Sequence, residues 1–115
     1  MPTNIVITME ILGVEIDGIR FLPYRGEDNS TGYYRAFMYH VINRYFDRIL
    51  MIPELNKYFS LAPNDPMFKA ALKYNKIEGY RGVYYSTYNG NAEKERRMCA
   101  IAKLLRIDLY VHTLE

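Results

Sequence analysis

Between residues 33 and 50 the apolar side chains fall at Tyr34, Phe37, Met38, Val41, Ile42, Tyr45, Phe46 and Ile49. This is the i, i+3, i+4, i+7 spacing that gathers them on one face of a helix. Arg35, His40, Asn43, Arg44, Asp47 and Arg48 fill the other side. The pattern predicts a long central helix over 33–50, with Ser30 or Thr31 placed to cap its first amides and Gly32 near its start. A second amphipathic helix is predicted over 92–105, capped by Asn91, with Glu93 and Glu95 near its positive end and Met98, Ile101, Ala102 and Leu105 as its buried stripe.

Shorter elements surround these two. Ile11-Leu12-Gly13-Val14 reads as a strand, and Ile5-Val6-Ile7 as a strand or an N-terminal arm. Residues 19–24 read as an edge strand or extended lead-in because they end at a proline. The next eight residues, 25–32, carry no apolar side chain and form a loop. Short helices are predicted at 53–59 and 66–74, each with proline in its first turn, the second capped from Asn64-Asp65. The Tyr- and Gly-rich stretch 79–91 reads as irregular chain with one short strand. Residues 107–113 make a strand with Ile107, Leu109 and Val111 on one face. The order predicts one α/β (α+β) domain over 1–115, a small mixed sheet packed on the long central helix and the second helix.

Composition narrows the class. Half the residues are hydrophobic and 24% are charged, which supports a folded core and excludes disorder for most of the chain. No apolar run approaches the roughly 20 residues that span a bilayer. No signal peptide is readable at Met1-Pro2-Thr3-Asn4. An intracellular, cytoplasmic protein without a membrane partner is therefore expected. The single cysteine, Cys99, makes neither an internal disulfide nor a zinc site by itself, and its mid-helix position beside the apolar stripe reads as a small hydrophobe. Two histidines without clustered carboxylates, and no Gly-rich phosphate loop, leave no metal or cofactor to expect. His40 reads as a solvated or hydrogen-bonded histidine on the polar side of the central helix, and His112 points away from Ile107, Leu109 and Val111.

The net charge is +2, yet residues 1–32 hold only Arg20 and Arg25 against Glu10, Glu15, Asp17, Glu27 and Asp28. The basic excess lies later, at Lys69, Lys73, Lys76, Arg81, Lys94, Arg96 and Arg97. That bias is too weak for a dedicated nucleic-acid binder, and charges on a helix ordinarily form a solvated face. The chain has 12 tyrosines and 5 phenylalanines but no tryptophan. Tyrosine suits half-buried positions, either at the core's edge or on a partner-facing surface.

Two segments together resemble the OTU (ovarian-tumour) superfamily of cysteine deubiquitinases, with an otubain-like flavour. There a strand leads into an acidic Asp-Gly-Asn-Cys loop, then an aromatic pair and Arg-Ala at the head of the central helix. Here 19–24 leads into Gly26-Glu27-Asp28-Asn29-Ser30-Thr31-Gly32, then Tyr33-Tyr34-Arg35-Ala36-Phe37. The run from Cys99-Ala100-Ile101-Ala102 through Arg106 to Leu109-Tyr110-Val111 looks like the family's later helix-to-strand unit. The likeness spans about 11–113. Aligned on Tyr34-Arg35-Ala36, the nucleophile position falls on Gly32 and the acidic loop position on Asn29, both vestigial, and an acidic position of the later helix falls on Arg97. The sequence ends at Glu115, just after the strand that precedes the family's catalytic histidine. A cysteine protease needs nucleophile and base within hydrogen-bond reach, so the resemblance implies an OTU-like scaffold without catalysis, a pseudoenzyme.

Its expected role is protein binding, with ubiquitin or another protein as partner. The expected contacts are Asp28, Asn29, Ser30, Thr31 and Tyr33 in the loop, and Arg81, Tyr84, Tyr85 and Tyr88 in the Tyr-rich stretch, Tyr and Arg being typical of binding hot spots. Three other readings remain open at this point. One is a small accessory subunit of a larger assembly such as a ribonucleoprotein, nucleic acid being met only within that assembly. Another is a hydrolase with an unrecognised constellation, or an active deubiquitinase whose cysteine has been replaced. The last is an α/β interaction domain unrelated to OTU proteins.

Overall fold

A computed structural model describes residues 9–114; the expected strand or arm at Ile5-Val6-Ile7 lies outside them. Strand β1 (Glu10–Ile16) buries Ile11, Val14 and Ile16. It turns through Asp17 and Gly18 into the two-residue β2 (Ile19–Arg20). Both turn residues have positive φ, 51° and 80°, the geometry of the tight hairpin turn that favours Asp-Gly. The lead-in is therefore mostly not strand: after Arg20 the chain is extended and then makes a 3-10 turn at Tyr24–Gly26.

Helix α1 (Ser30–Arg44) begins three residues earlier than its apolar period required. Its cap is Asn29 rather than Ser30 or Thr31: the Asn29 side chain accepts from the Gly32 amide at 2.8 Å. Ser30 is instead buried, its hydroxyl accepting from the Ile11 amide of β1 at 2.8 Å. Tyr34, Phe37, Met38, Val41 and Ile42 are fully buried along one face. The helix stops at Tyr45 (φ −117°, ψ 28°), and α2 (Phe46–Met51) continues in a new direction. The break turns Ile49 into the core and lets the Arg48 guanidinium donate to the Leu105 carbonyl at 3.0 Å, capping a helix end.

The two proline-led segments are a 3-10 turn at Pro53–Lys57, and a 3-10 turn at Pro66–Phe68 running into the short α3 (Lys69–Lys73). Asp65 caps the latter as expected, accepting from the Met67 amide at 3.0 Å. The stretch 79–91 holds the one short strand expected, β4 (Val83–Ser86), and is irregular over 87–90, but its first residues complete an unexpected partner, β3 (Ile77–Tyr80), joined to β4 through Arg81 and Gly82 with φ 54° and 77°. Helix α4 (Asn91–Leu105) is capped by Gly90, while the Asn91 side chain donates to the Met9 carbonyl at 2.7 Å. Arg106 ends it in the left-handed conformation, φ 58°, so that Ile107 and Arg106 amides reach back to Ala102 and Lys103. The final strand is β5 (Leu109–Leu114).

The fold is α+β. Its sheet is not one but two, both antiparallel: β2-β1-β5, and the β3-β4 hairpin. One core, built from β1, α1, α2, α4 and Val83 and Tyr85 of β4, runs beneath both. Ser30→Ala is expected to strand the buried Ile11 amide and cost about 1–3 kcal/mol. Loss of the Asn29 cap in Asn29→Ala should cost about 1 kcal/mol. Urea midpoints of the two variants compare them, and equal midpoints to the parent for Ser30→Ala would remove that bond from the fold's supports.

Candidate functional site

The head of α1 and the β4–α4 loop meet. Thr31 and Arg35 from the helix, and Thr87, Tyr88 and Asn89 from the loop, line one cavity of about 350 Å³, with Lys76 at its rim. Arg35 fixes the wall: its guanidinium pairs with Glu27 at 2.8 Å and with Glu78 of β3 at 2.6 Å, tying loop, helix and hairpin together. Tyr88 is half exposed and stacks on Tyr74, centroids 4.8 Å apart.

The expected contact residues divide between this surface, the core and the far end of the hairpin. Asp28 and Asn29 are exposed, but Asp28 accepts from the Tyr33 hydroxyl at 2.9 Å and Asn29 is the helix cap. Tyr33 is buried, and burial first, then the bond to Asp28, raises its hydroxyl's pKa. Tyr85 is a core residue, not a contact: it is buried edge-on against Tyr34, centroids 6.0 Å apart. Desolvation raises both hydroxyls, Tyr34 to about 12. Tyr84 lies across Gly79, whose missing side chain makes room for its ring. Arg81 sits at the hairpin tip, donating to the Asn43 carbonyl at 3.3 Å and covering the Phe46 ring at 4.6 Å. Of the nine, Thr31 and Tyr88 share the cavity. Arg35 and Lys76 join them there from outside the expected set, and Tyr74 stacks on Tyr88 beside it.

Gly32 is fixed as glycine by its surroundings. A Cβ there would lie 1.8 Å from the carbonyl oxygen of Glu27, which is backbone and has no rotamer to escape into. The other reactive side chains are dispersed. Cys99 is exposed, not packed beside the apolar stripe, and partial desolvation, then the nearby Glu95 carboxylate, raise its thiol pKa. His40 is half-buried, edge-on to Phe21 at 4.7 Å, and desolvation with the neighbouring Arg44 lowers its pKa. His112 pairs through Nε2 with Glu15 on the neighbouring strand. Among the described residues no three His, Cys, Asp or Glu side chains converge on one point, and no helix is long and apolar enough to cross a membrane.

The basic run of α4 is solvated only in part: Arg96 is exposed, whereas Lys94 is buried. Lys94 is 3% exposed and pairs with no carboxylate among the described residues; its ammonium donates to the Thr87 carbonyl at 3.3 Å and to the Asn89 carbonyl, and lies over the Tyr34 ring at 5.7 Å. Arg96 and Arg97 both pair with Glu93. Desolvation, then Arg97, Arg35 and Lys76, push the Lys94 pKa down to about 8. The spacing did hold this signal, since 94 lies four residues before Met98 on the buried stripe.

No family model, curated protein or solved structure matches this chain.

Gly32→Ala and Gly32→Cys should both destabilise by more than about 3 kcal/mol, at or beyond the upper end of ordinary overpacking. Near-parental thermal midpoints would show that the loop yields. Lys94 gives a pH dependence with a defined sign. Between its folded pKa near 8 and its ordinary 10.5, the unfolded chain holds the proton and the folded chain does not, so stability rises with pH through that window. Tyr34 and Tyr85, with pKa values raised from 10.0, act oppositely above pH 10, where the unfolded chain ionises first. Urea midpoints should therefore climb from pH 8 to 10 and fall beyond, and Lys94→Met should abolish the climb while keeping the fall.

Proposed function

We propose that this chain is a catalytically silent, OTU-like protein-binding module, with ubiquitin or another protein as its partner. The observation that carries the reading is the meeting of the loop that heads α1 with the β4–α4 loop: Thr31 and Tyr88 line the same cavity. These are the two segments that the resemblance and the tyrosine pattern single out separately. Around that cavity the half-exposed Tyr74–Tyr88 stack and Arg35 and Lys76 supply an aromatic platform with cations beside it. Such groups carry a disproportionate share of binding energy at protein interfaces.

Silence at the position matched to the nucleophile is supported by the Glu27 carbonyl, which occupies the space any side chain at 32 would need. A thiol cannot be accommodated there without moving the loop, and a hydroxyl or thiol elsewhere would need a base beside it. The ribonucleoprotein alternative draws little from α4, where Lys94 is buried and Arg96 and Arg97 share Glu93.

The test is an amide-NMR titration of labelled protein with mono-ubiquitin and linked di-ubiquitin. Saturable shifts are expected at residues 28–31, 74–76 and 87–90, with Tyr85 unmoved. Replacing Tyr74 and Tyr88 together by alanine should weaken binding at least about tenfold, equivalent to about 1.4 kcal/mol. No shifts at millimolar ubiquitin would remove ubiquitin as the partner. Pull-downs unchanged by the double substitution would remove this surface as the binding site.

A further inference from the structure

Sheet edges carry unpaired amides and carbonyls, and folded proteins usually blunt them with lysine, proline, a bulge or very short strands. Most edges of this molecule are managed that way. β2 is two residues long and carries Arg20. The outer edge of β4 is paired with Ser60, by bonds of 3.0 and 2.8 Å between Ser60 and Tyr84. β3 is four residues with Glu78 in it. β5 differs. It ends the order β2-β1-β5 and runs for six residues, Leu-Tyr-Val-His-Thr-Leu, without lysine, proline or acid. The irregularity in its pairing lies between Ile11 and Gly13 of β1, not on β5 itself. Among the described residues no strand pairs with its outer edge.

We propose that β5 is a homodimer edge, pairing antiparallel with β5 of a second copy about a two-fold axis to make one six-stranded sheet. Side chains alternate faces along a strand, so a two-fold pair must keep like parity opposite like. Centring on Val111 does so. Val111 then faces the second copy's Val111, and Tyr110 faces the second copy's His112. Leu109 faces the second copy's Thr113.

The cross-strand pairs suit a second copy. β5 carries no Lys, Arg, Asp or Glu, and its one ionisable side chain, His112, is held by Glu15 and falls opposite the second copy's Tyr110, so self-pairing sets no like charges opposite each other in the strand. On the sheet's outer face Tyr110, 62% exposed, packs edge-on to His112 at 4.5 Å. In the pair, two Tyr–His sets lie side by side at the centre. Glu15, already held by His112, and Arg20, opposite Glu15 in the sheet, form the rim on either side. An aromatic centre with a charged rim is the ordinary anatomy of a protein interface. On the inner face the pair joins two half-buried Val111 side chains that already rest on each core.

This surface is separate from the Thr31–Tyr88 cavity, so its test stands apart from the ubiquitin titration. Sedimentation of the purified chain from about 1 µM to about 1 mM, a span of some 4 kcal/mol in association free energy, should show a monomer–dimer equilibrium. Hydrogen exchange should show the β5 amides that face away from β1 protected only at the high end, those bonded to β1 being protected throughout. Tyr110→Lys alone should weaken association, and Tyr110→Lys with Thr113→Lys should weaken it at least tenfold, with circular dichroism unchanged because both sites are exposed. A monomer throughout would overturn the proposal. So would a dimer that ignores the two lysines, or outward-facing β5 amides equally protected in the dilute monomer.

Discussion

The carbonyl oxygen of Glu27 sits where residue 32 would carry its Cβ, and that close approach sets the head of α1. With the loop drawn in this far, Asn29 reaches the Gly32 amide, Ser30 reaches the Ile11 amide of β1, and Arg35 spans Glu27 and Glu78. One turn into the helix, the Tyr34 hydroxyl donates to the Ser86 carbonyl at 3.2 Å. Within six residues the helix is therefore fastened to the first sheet, to both strands of the hairpin and to the loop before α1. The bonds to the Ile11 amide and the Ser86 carbonyl are buried, where leaving them unmade costs more than making them gains.

Lys94 shows the same economy from the other side. An ammonium without a carboxylate is costly to bury, and three further cations lie near enough to depress its pKa. In return its Nζ satisfies carbonyls of Thr87 and Asn89 that the loop turns inward, with the Tyr34 ring beneath. The loop that presents Tyr88 is thus held from behind by a charge, and the aromatic stack it shares with Tyr74 rests on a fixed base. A neutral apolar side chain at 94 would fill the space but leave those carbonyls unmet.

The two long helices were legible because a 3.6-residue period survives in Phe37, Met38, Val41 and Ile42 and in Met98, Ile101 and Ala102. The hairpins were not. Asp17-Gly18 and Arg81-Gly82 are turn dipeptides, but the strands beside them are short, and aromatic residues on both faces of β4 erase the alternation that marks a strand. Tyr85 was read as a contact because composition cannot distinguish a tyrosine pointing inward from one pointing out. Cys99 follows Met98 by one residue, a rotation of about 100° that carries it off the buried stripe. Of the candidate surface, the loop was visible as a polar gap, whereas Tyr74 and Lys76 enter only through the tertiary fold.

The pairing of β1 with β5 joins Glu10 to Leu114, about a hundred residues apart. On a ribosome adding roughly 5–20 residues per second, β1 waits on the order of ten seconds before its partner strand exists. Once α1 has emerged, Ile11, Val14 and Ile16 have it to pack against, but β1 has only the two-residue β2 alongside and nothing on its β5 side. The order of synthesis therefore makes the β2-β1 hairpin and α1 a provisional unit, closed only when the last strand arrives. During those seconds the exposed edge of β1 is the nascent chain's point of exposure to chaperones and to neighbouring chains on the same message.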